Sequence, residues 1–388
     1  MQNFCYYIPT KIYFGKGEIK KLPESILEYG KKILLVYGGG SIKRTGLYDT
    51  ITGLLKEHGI SYVELSGVEA NPRLSTVKKG IGICKENDVE VIVPVGGGSV
   101  IDCAKGIAAG VKYDGETWDL ALDGSKVKEA LPIVTVLTIA ATGSEMDTCG
   151  VITNTETLEK QSIASDKILP KISILDPEYT YTVPKYQTAA GTADIISHLM
   201  ELYFNRVEGA YMQRKMTEAL LETCFHFGKI AVEEPHDYDA RANLMWTSTW
   251  AINGFLASGF AGAWFLHPME HQLSAYYDIT HGVGLALIIP PWMRKVLNED
   301  SVDLFYEYGV NVLKIEPDED MFAVANKAID MTEAYFKELG IPQTLREAGI
   351  PTREKFYEMA EKAMVKGAKN AYLKLTIDDI VDIYEAAF

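Results

Sequence analysis

The chain has 388 residues, 47% of them hydrophobic, and a formal net charge of −15. That length supports two domains with buried cores, while the negative field opposes binding to nucleic acid phosphates or anionic lipid. Its five cysteines, Cys5, Cys84, Cys103, Cys149 and Cys224, are scattered and form no C-x-x-C pair, which argues against a disulfide framework or a thiolate zinc site.

Residues Met1 to Thr10 lack the basic flank and apolar stretch of a secretory signal,. The most apolar tract, Ala251 to Leu266, is interrupted by Asn253, Ser258 and three glycines, and it is shorter than the roughly 20 residues of a spanning helix. It reads as a buried helix pair, and the whole as a cytoplasmic protein that meets no membrane and no nucleic acid.

The first half alternates short β-branched runs with amphipathic stretches, the pattern of a parallel sheet covered by helices. Lys32 to Tyr37 reads as a strand buried on both faces and ends at Gly38-Gly39-Gly40; Ile60 to Leu65 reads as the second strand. Val89 to Val95 runs into Gly96-Gly97-Gly98-Ser99, after which Val100 to Ala109 has helical spacing,. Ile133 to Thr138 and Ile172 to Leu175 supply further strands. Beyond Pro184 helical periodicity takes over, so the boundary falls there: 1–184 as an α/β domain and 185–388 as a helical one. Asp318 to Leu339 predicts a helix stopped by Gly340-Ile341-Pro342,. Thr376-Ile377-Asp378-Asp379 opens a last helix with an acceptor at its N-cap,.

Two junctions of strand, triple glycine and helix are candidates for phosphate binding, because glycines admit backbone amides close to a pyrophosphate and a helix N-terminus adds a favourable dipole. Neither fits the G-x-G-x-x-G spacing. At the end of the first strand a carboxylate would bond the adenosine ribose and repel a 2′-phosphate. Gly38 stands there, with Ser41, Lys43 and Arg44 downstream, so the residues favour NADP(H), with NAD(H) as the other possibility.

Three of the seven histidines fall within fifteen residues. Asp194 and His198 are four apart, as are His267 and His271, and each pair projects from one face of a helix. His281 follows a turn-like Tyr277-Asp278-Ile279-Thr280. A site of imidazoles and one carboxylate suits Fe²⁺ or Zn²⁺ better than Ca²⁺ or Mg²⁺. Spacing alone leaves hydrolase, lyase and dehydrogenase open.

Taken together, these motifs resemble the iron-containing alcohol dehydrogenase family, and most its NADPH-dependent butanol dehydrogenase branch. The resemblance runs nearly end to end, from Pro9-Thr10-Lys11-Ile12-Tyr13-Phe14-Gly15 through Gly96-Gly97-Gly98-Ser99-Val100-Ile101-Asp102, Thr142-Gly143-Ser144-Glu145 and Asp194-Ile195-Ile196-Ser197-His198 to His267-Pro268-Met269-Glu270-His271 and His281-Gly282. It implies a Rossmann-like dinucleotide-binding α/β domain followed by an all-α metal-binding domain, the dehydroquinate synthase-like fold, with the active site in the cleft between them. It assigns the metal to Asp194, His198, His267 and His281, and it places His271 beside nicotinamide and substrate. Cofactor contacts are implied at Gly38, Gly39, Ser41, Gly97, Gly98, Ser99, Asp102, Thr138, Thr142 and Lys160. Pro268, directly after His267, departs from the small or apolar residue usual there.

The implied chemistry is hydride transfer between NADP(H) and a short-chain alcohol or aldehyde, with the metal as Lewis acid and His271 as proton relay. A homodimer is the family's expectation. Alternatives are a polyol enzyme of glycerol dehydrogenase type and a lyase of dehydroquinate synthase type, which would need a Lys- and Arg-rich pocket rather than the apolar tract bearing Phe255, Phe260 and Trp264. A non-catalytic sensor would need a partner module that the sequence does not display.

Overall fold

A computed structural model describes residues 1–205, 209–260 and 264–388. They divide into two units, Tyr7–Val183 and Pro184–Phe388 together with Met1–Tyr6. The strands of the first unit are β1 (Lys11–Phe14), β2 (Lys32–Tyr37), β3 (Ser61–Leu65), β4 (Val91–Gly96), β5 (Val134–Leu137), β6 (Cys149–Asn154), β7 (Glu159–Ala164) and β8 (Ile172–Leu175). β6 and β7 pair as an antiparallel hairpin; the other six make a parallel sheet in the order β1-β8-β5-β4-β2-β3. Helices α1 (Leu22–Leu27), α2 (Ser41–Arg44), α3 (Leu47–Glu57), α4 (Leu74–Glu86), α5 (Gly98–Val111) and α6 (Asp119–Leu122) complete the unit.

A strand with helices on both sides is apolar along its buried length, and β2 obeys this rule from Ile33 to Tyr37, after the exposed Lys32,. Ile33, Leu35 and Tyr37 join the core on one face, while Leu34 and Val36 join the core on the other. The chain order sets the location of the loops. From β2 the path goes outward to β3, then returns to place β4 on the opposite side of β2 and continues away. β2 and β4 therefore flank the point where the winding reverses, and the crevice beyond their carboxyl ends is where open α/β sheets bind ligands. Tyr37 pairs with Val95, so the two glycine loops leave the sheet side by side.

The second unit is helical: α7 (Lys185–Tyr203), α8 (Tyr211–Glu233), α9 (Tyr238–Ile252), α10 (Leu266–Tyr277), α11 (His281–Val296), α12 (Val302–Asn311), α13 (Met321–Glu338), α14 (Phe356–Lys366) and α15 (Ile377–Ala387). Asp320 caps α13 through Ala323 N–H at 3.0 Å, and Gly340, with φ of 81°, ends it. Thr376 and Asp379 form the reciprocal capping box of α15,. Among the described residues no helix is long and apolar enough to cross a membrane, and all five cysteines are free thiols.

Two readings of the sequence need correction. Ala251 to Leu266 is not a helix pair: α9 stops at Ile252, and residues 253–260 are turns in which Gly254 and Gly259 take φ of 84° and 88°. Left-handed backbone is open to glycine and breaks helical propagation, so apolar composition misled; residues 261–263 lie outside the described part. Met1–Tyr6 groups with the helical unit rather than the α/β one. Gln2 N–H donates to Gly259 O at 2.7 Å, and the Tyr6 ring meets Phe255 edge-on.

Candidate active site

Asp194 and His198 lie one turn apart on α7, His267 is the second residue of α10, and His281 is the first of α11. The helices bring their polar atoms to one point. Asp194 Oδ1 stands 3.6 Å from His198 Nε2, 3.9 Å from His267 Nε2 and 3.6 Å from His281 Nε2. These separations exceed the 2.7–3.2 Å of a hydrogen bond, yet two ligands each about 2.1 Å from one ion stand roughly 3–4 Å apart. His267 Nε2 and His198 Nδ1 are buried without a hydrogen-bond partner, a costly state that a cation at the centre would relieve for Nε2.

Two carboxylates orient the rings. Glu201, on α7, accepts from His267 Nδ1, and Glu270, on α10, accepts from His281 Nδ1. A proton held on Nδ1 leaves the Nε2 lone pair aimed inward, the tautomer that metal binding requires. Both glutamates are fully or almost fully buried. Glu201 also accepts from the backbone N–H of Phe265, Leu266 and His267 at 2.5, 2.5 and 3.2 Å. It caps the start of α10, where a helix has no carbonyls of its own to offer. Pro268 is the third residue of that helix, a position whose N–H has no helical partner, so the proline is tolerated there.

Glycine permits the closeness of α7 and α11. A Cβ on Gly282 would lie 1.9 Å from Ala190 O, one turn before Asp194, so only glycine lets α11 deliver His281 to the cluster. His271 sits beside it, its ring centroid 5.6 Å from that of His281 and 5.9 Å from that of His267. Trp264 meets His267 edge-on at 5.0 Å and is partly exposed, which puts an apolar surface against the polar centre.

Burial, reinforced by His267 and His281, holds the His198 imidazole well below its ordinary pKa. Burial also works against protonation of His267, but Glu201, Asp194 and Glu270 outweigh it and raise that group.

The implied cofactor residues lie in the α/β unit. Gly38, Gly39 and Ser41 follow β2, and Gly97 is the N-cap of α5, ahead of Gly98 and Ser99. The first amides of α5 have no helical acceptor and face a would-be anion. Gly98 is required by packing, because a Cβ there would lie 2.1 Å from Thr142 Oγ1. That close approach puts the Thr142 hydroxyl at the helix N-terminus. Gly39 is open, with nothing within 4 Å of a Cβ position. The glycines thus form a cradle that side chains would fill, and it fits a dinucleotide phosphate.

The remaining residues behave differently. Thr138 N–H ties the end of β5 to Gly96 O at 3.0 Å, and Ser99 Oγ donates to Ala70 O. Asp102 is buried, with one oxygen accepting from Ser144 Oγ at 2.6 Å and the other from Val151 N–H at 3.0 Å. It braces the turn and hairpin; burial raises its pKa, and Lys105 and, more weakly, Lys160 on β7 oppose that shift. Glu201 and Glu270 are the functional side chains that sequence reasoning missed. The signal was present: Glu201 falls seven residues after Asp194 and three after His198, on the same helix face.

Residues 9–177 match the model of the iron-containing alcohol dehydrogenases, and residues 188–388 that of the C-terminal part of the same Fe-containing family. The chain belongs to the iron-containing alcohol dehydrogenase family. It is 54% identical to NADH-dependent butanol dehydrogenase A of Clostridium acetobutylicum over the full length of both, and 36% identical, again over both full lengths, to the NADPH-dependent aldehyde reductase YqhD of Escherichia coli. The crystal structure of NADH-dependent butanol dehydrogenase A from Thermotoga maritima superposes with a TM-score of 0.92 at 40% identity, covering 100% of this chain and 99% of that one. Among iron-containing alcohol dehydrogenases the chain falls in the butanol dehydrogenase branch and is a nicotinamide-dependent oxidoreductase.

Proposed function

We propose that the chain interconverts short-chain primary alcohols and aldehydes with a divalent metal, Fe²⁺ first and Zn²⁺ as the alternative, at Asp194, His198, His267 and His281. The observation that carries this reading is the convergence of three imidazole Nε2 atoms on Asp194 Oδ1, two of them with Nδ1 held by a buried glutamate. When bound, the ion supplies Lewis acidity toward the substrate oxygen and the nicotinamide supplies or accepts the hydride.

The chain's own residues orient and balance charge. One carboxylate among three neutral imidazoles would leave a divalent ion and its direct ligands net positive, which favours an anionic oxygen in the transition state. Glu201 and Glu270 hold the rings so that little reorganisation accompanies reaction. His271, whose ring neighbours that of His281, is the group we assign to take or return the hydroxyl proton. Trp264 supplies an apolar wall suited to an unbranched alkyl chain. The Gly38 loop bears no carboxylate at the ribose position, which supports acceptance of NADP(H) alongside NAD(H). Relatives named for each cofactor fit that breadth. A homodimer and a cytoplasmic location complete the proposal.

The test is consumption of NADPH and of NADH with butanal by anaerobically prepared protein, stripped of metal and reloaded with Fe²⁺ or Zn²⁺. Activity that returns with the metal supports the reading. Protein that takes up metal and cofactor yet reduces no aldehyde overturns the substrate assignment.

A further inference from the structure

The Gly38 loop is flanked by a charge cluster that neither the metal site nor the phosphate cradle uses. Parallel pairing of β2 with β3 puts Leu35 opposite Glu64 and Val36 opposite Leu65. Glu64 Oε2 accepts from Tyr37 Oη and Oε1 from Tyr48 Oη, each at 2.5 Å. Tyr37 is the last residue of β2, immediately before Gly38. Lys43, two residues beyond Ser41, lays its ammonium against this group: Nζ is 4.5 Å from the Tyr48 ring centroid, 5.1 Å from that of Tyr37 and 4.0 Å from Glu64 Oε2. Its side chain is 50% exposed, against 31% for Glu64. The cation is therefore held from one side by two aromatic faces and a carboxylate, and is open on the other.

We infer that Glu64 sets the balance between NAD(H) and NADP(H), by positioning the Lys43 ammonium beside the Gly38 loop and partly cancelling its charge. The inference rests on the reading that this loop receives the adenosine ribose. A 2′-phosphate approaching the loop is drawn by Lys43 and repelled by Glu64, and at similar distances the two terms nearly cancel. Ribose without the phosphate feels neither strongly. Selectivity is then poised rather than strict. Lys43 is the residue that would meet the phosphate, and Glu64 is a positioning residue acting through it. A solvent-facing pair at 4.0 Å has little value for stability, whereas its effect on a dianionic ligand is direct.

ADP-ribose and 2′-phospho-ADP-ribose differ at the 2′ position alone and need neither metal nor hydride transfer, so their dissociation constants can be measured calorimetrically on the wild type, Glu64→Gln, Lys43→Gln and Gly38→Asp. Gln keeps an acceptor for the phenols while removing the charge. Glu64→Gln is expected to tighten 2′-phospho-ADP-ribose about fivefold and Lys43→Gln to weaken it about fivefold, the scale of one exposed charge pair, with ADP-ribose changing less than about twofold in both. Equal shifts for the two ligands, or none for either, overturn the inference. If Gly38→Asp disfavours the phosphorylated ligand while Glu64→Gln leaves the ratio unchanged, Glu64 alone is wrongly assigned. If Gly38→Asp moves neither ligand, the loop reading fails and takes this inference with it.

Discussion

The two candidate sites are built by opposite means. The metal cluster of the helical unit is a convergence of side chains, each held by another buried side chain: His267 by Glu201, His281 by Glu270. The loops of the α/β unit work by the absence of side chains, with Gly98 admitting Thr142 and Gly39 leaving open space. A cluster of buried, mutually dependent groups fails steeply when one member changes, because each loss leaves another polar atom buried alone. A backbone cradle at the surface shifts by degrees. Substitutions in the helical unit should therefore act on metal and turnover in large steps, and those at the Gly38 loop on ligand preference in small ones.

The steepest loss is expected from Gly282→Ala. The added methyl meets Ala190 O at 1.9 Å, and separating α11 from α7 should cost about 1–3 kcal/mol or more and withdraw His281. Thermal unfolding and metal content should fall together; a stable variant with full metal would break the packing argument. His271→Ala should keep its metal and lose turnover by about 10²-fold or more, the scale of a lost proton relay, seen by comparing initial rates with metal stoichiometry. Glu201→Gln should weaken metal binding by about 10–100-fold, as removal of an outer carboxylate does.

Metal uptake should also be linked to protons through His267. With its pKa raised above 6.5 by neighbouring carboxylates, the ring must release a proton before Nε2 can bind. Affinity should fall as pH drops through that pKa and level off above it, and titrations in buffers of different ionisation enthalpy would count the proton. A smaller effect is expected from Gly38→Asp, a move in preference toward NADH by roughly tenfold, about 1.4 kcal/mol. Its Cβ meets Val68 O at an ordinary 3.4 Å, so the fold should be indifferent; relative dissociation constants for the two cofactors would check it.

Legibility followed the same division. Val91–Gly96 was readable because a fully buried strand is a run of apolar residues and the glycines mark where it ends. The histidines stood out as a cluster because imidazoles in apolar helices demand partners; the family resemblance singled out Asp194, His198, His267 and His281, and the structure brings these four side chains together. Glu201 and Glu270 were passed over because a glutamate in a helix reads as solvated surface until the fold turns it inward. Lys43 was legible as a cation that favours a 2′-phosphate, but its cage was not, because that depends on Glu64, which the strand register supplies from outside the loop. The tract after α9 was misread because composition records apolarity and not the left-handed glycines that break it.

The most direct test of the account is metal stoichiometry in protein stripped with chelator and titrated with Fe²⁺ under anaerobic conditions, run on the wild type, Asp194→Ala, His281→Ala and His271→Ala. One ion per chain in the wild type and in His271→Ala, with tight binding lost in the other two, is the expected result. An unchanged ion in Asp194→Ala, or one lost with His271 alone, would contradict a centre built on Asp194 and the three histidines around it.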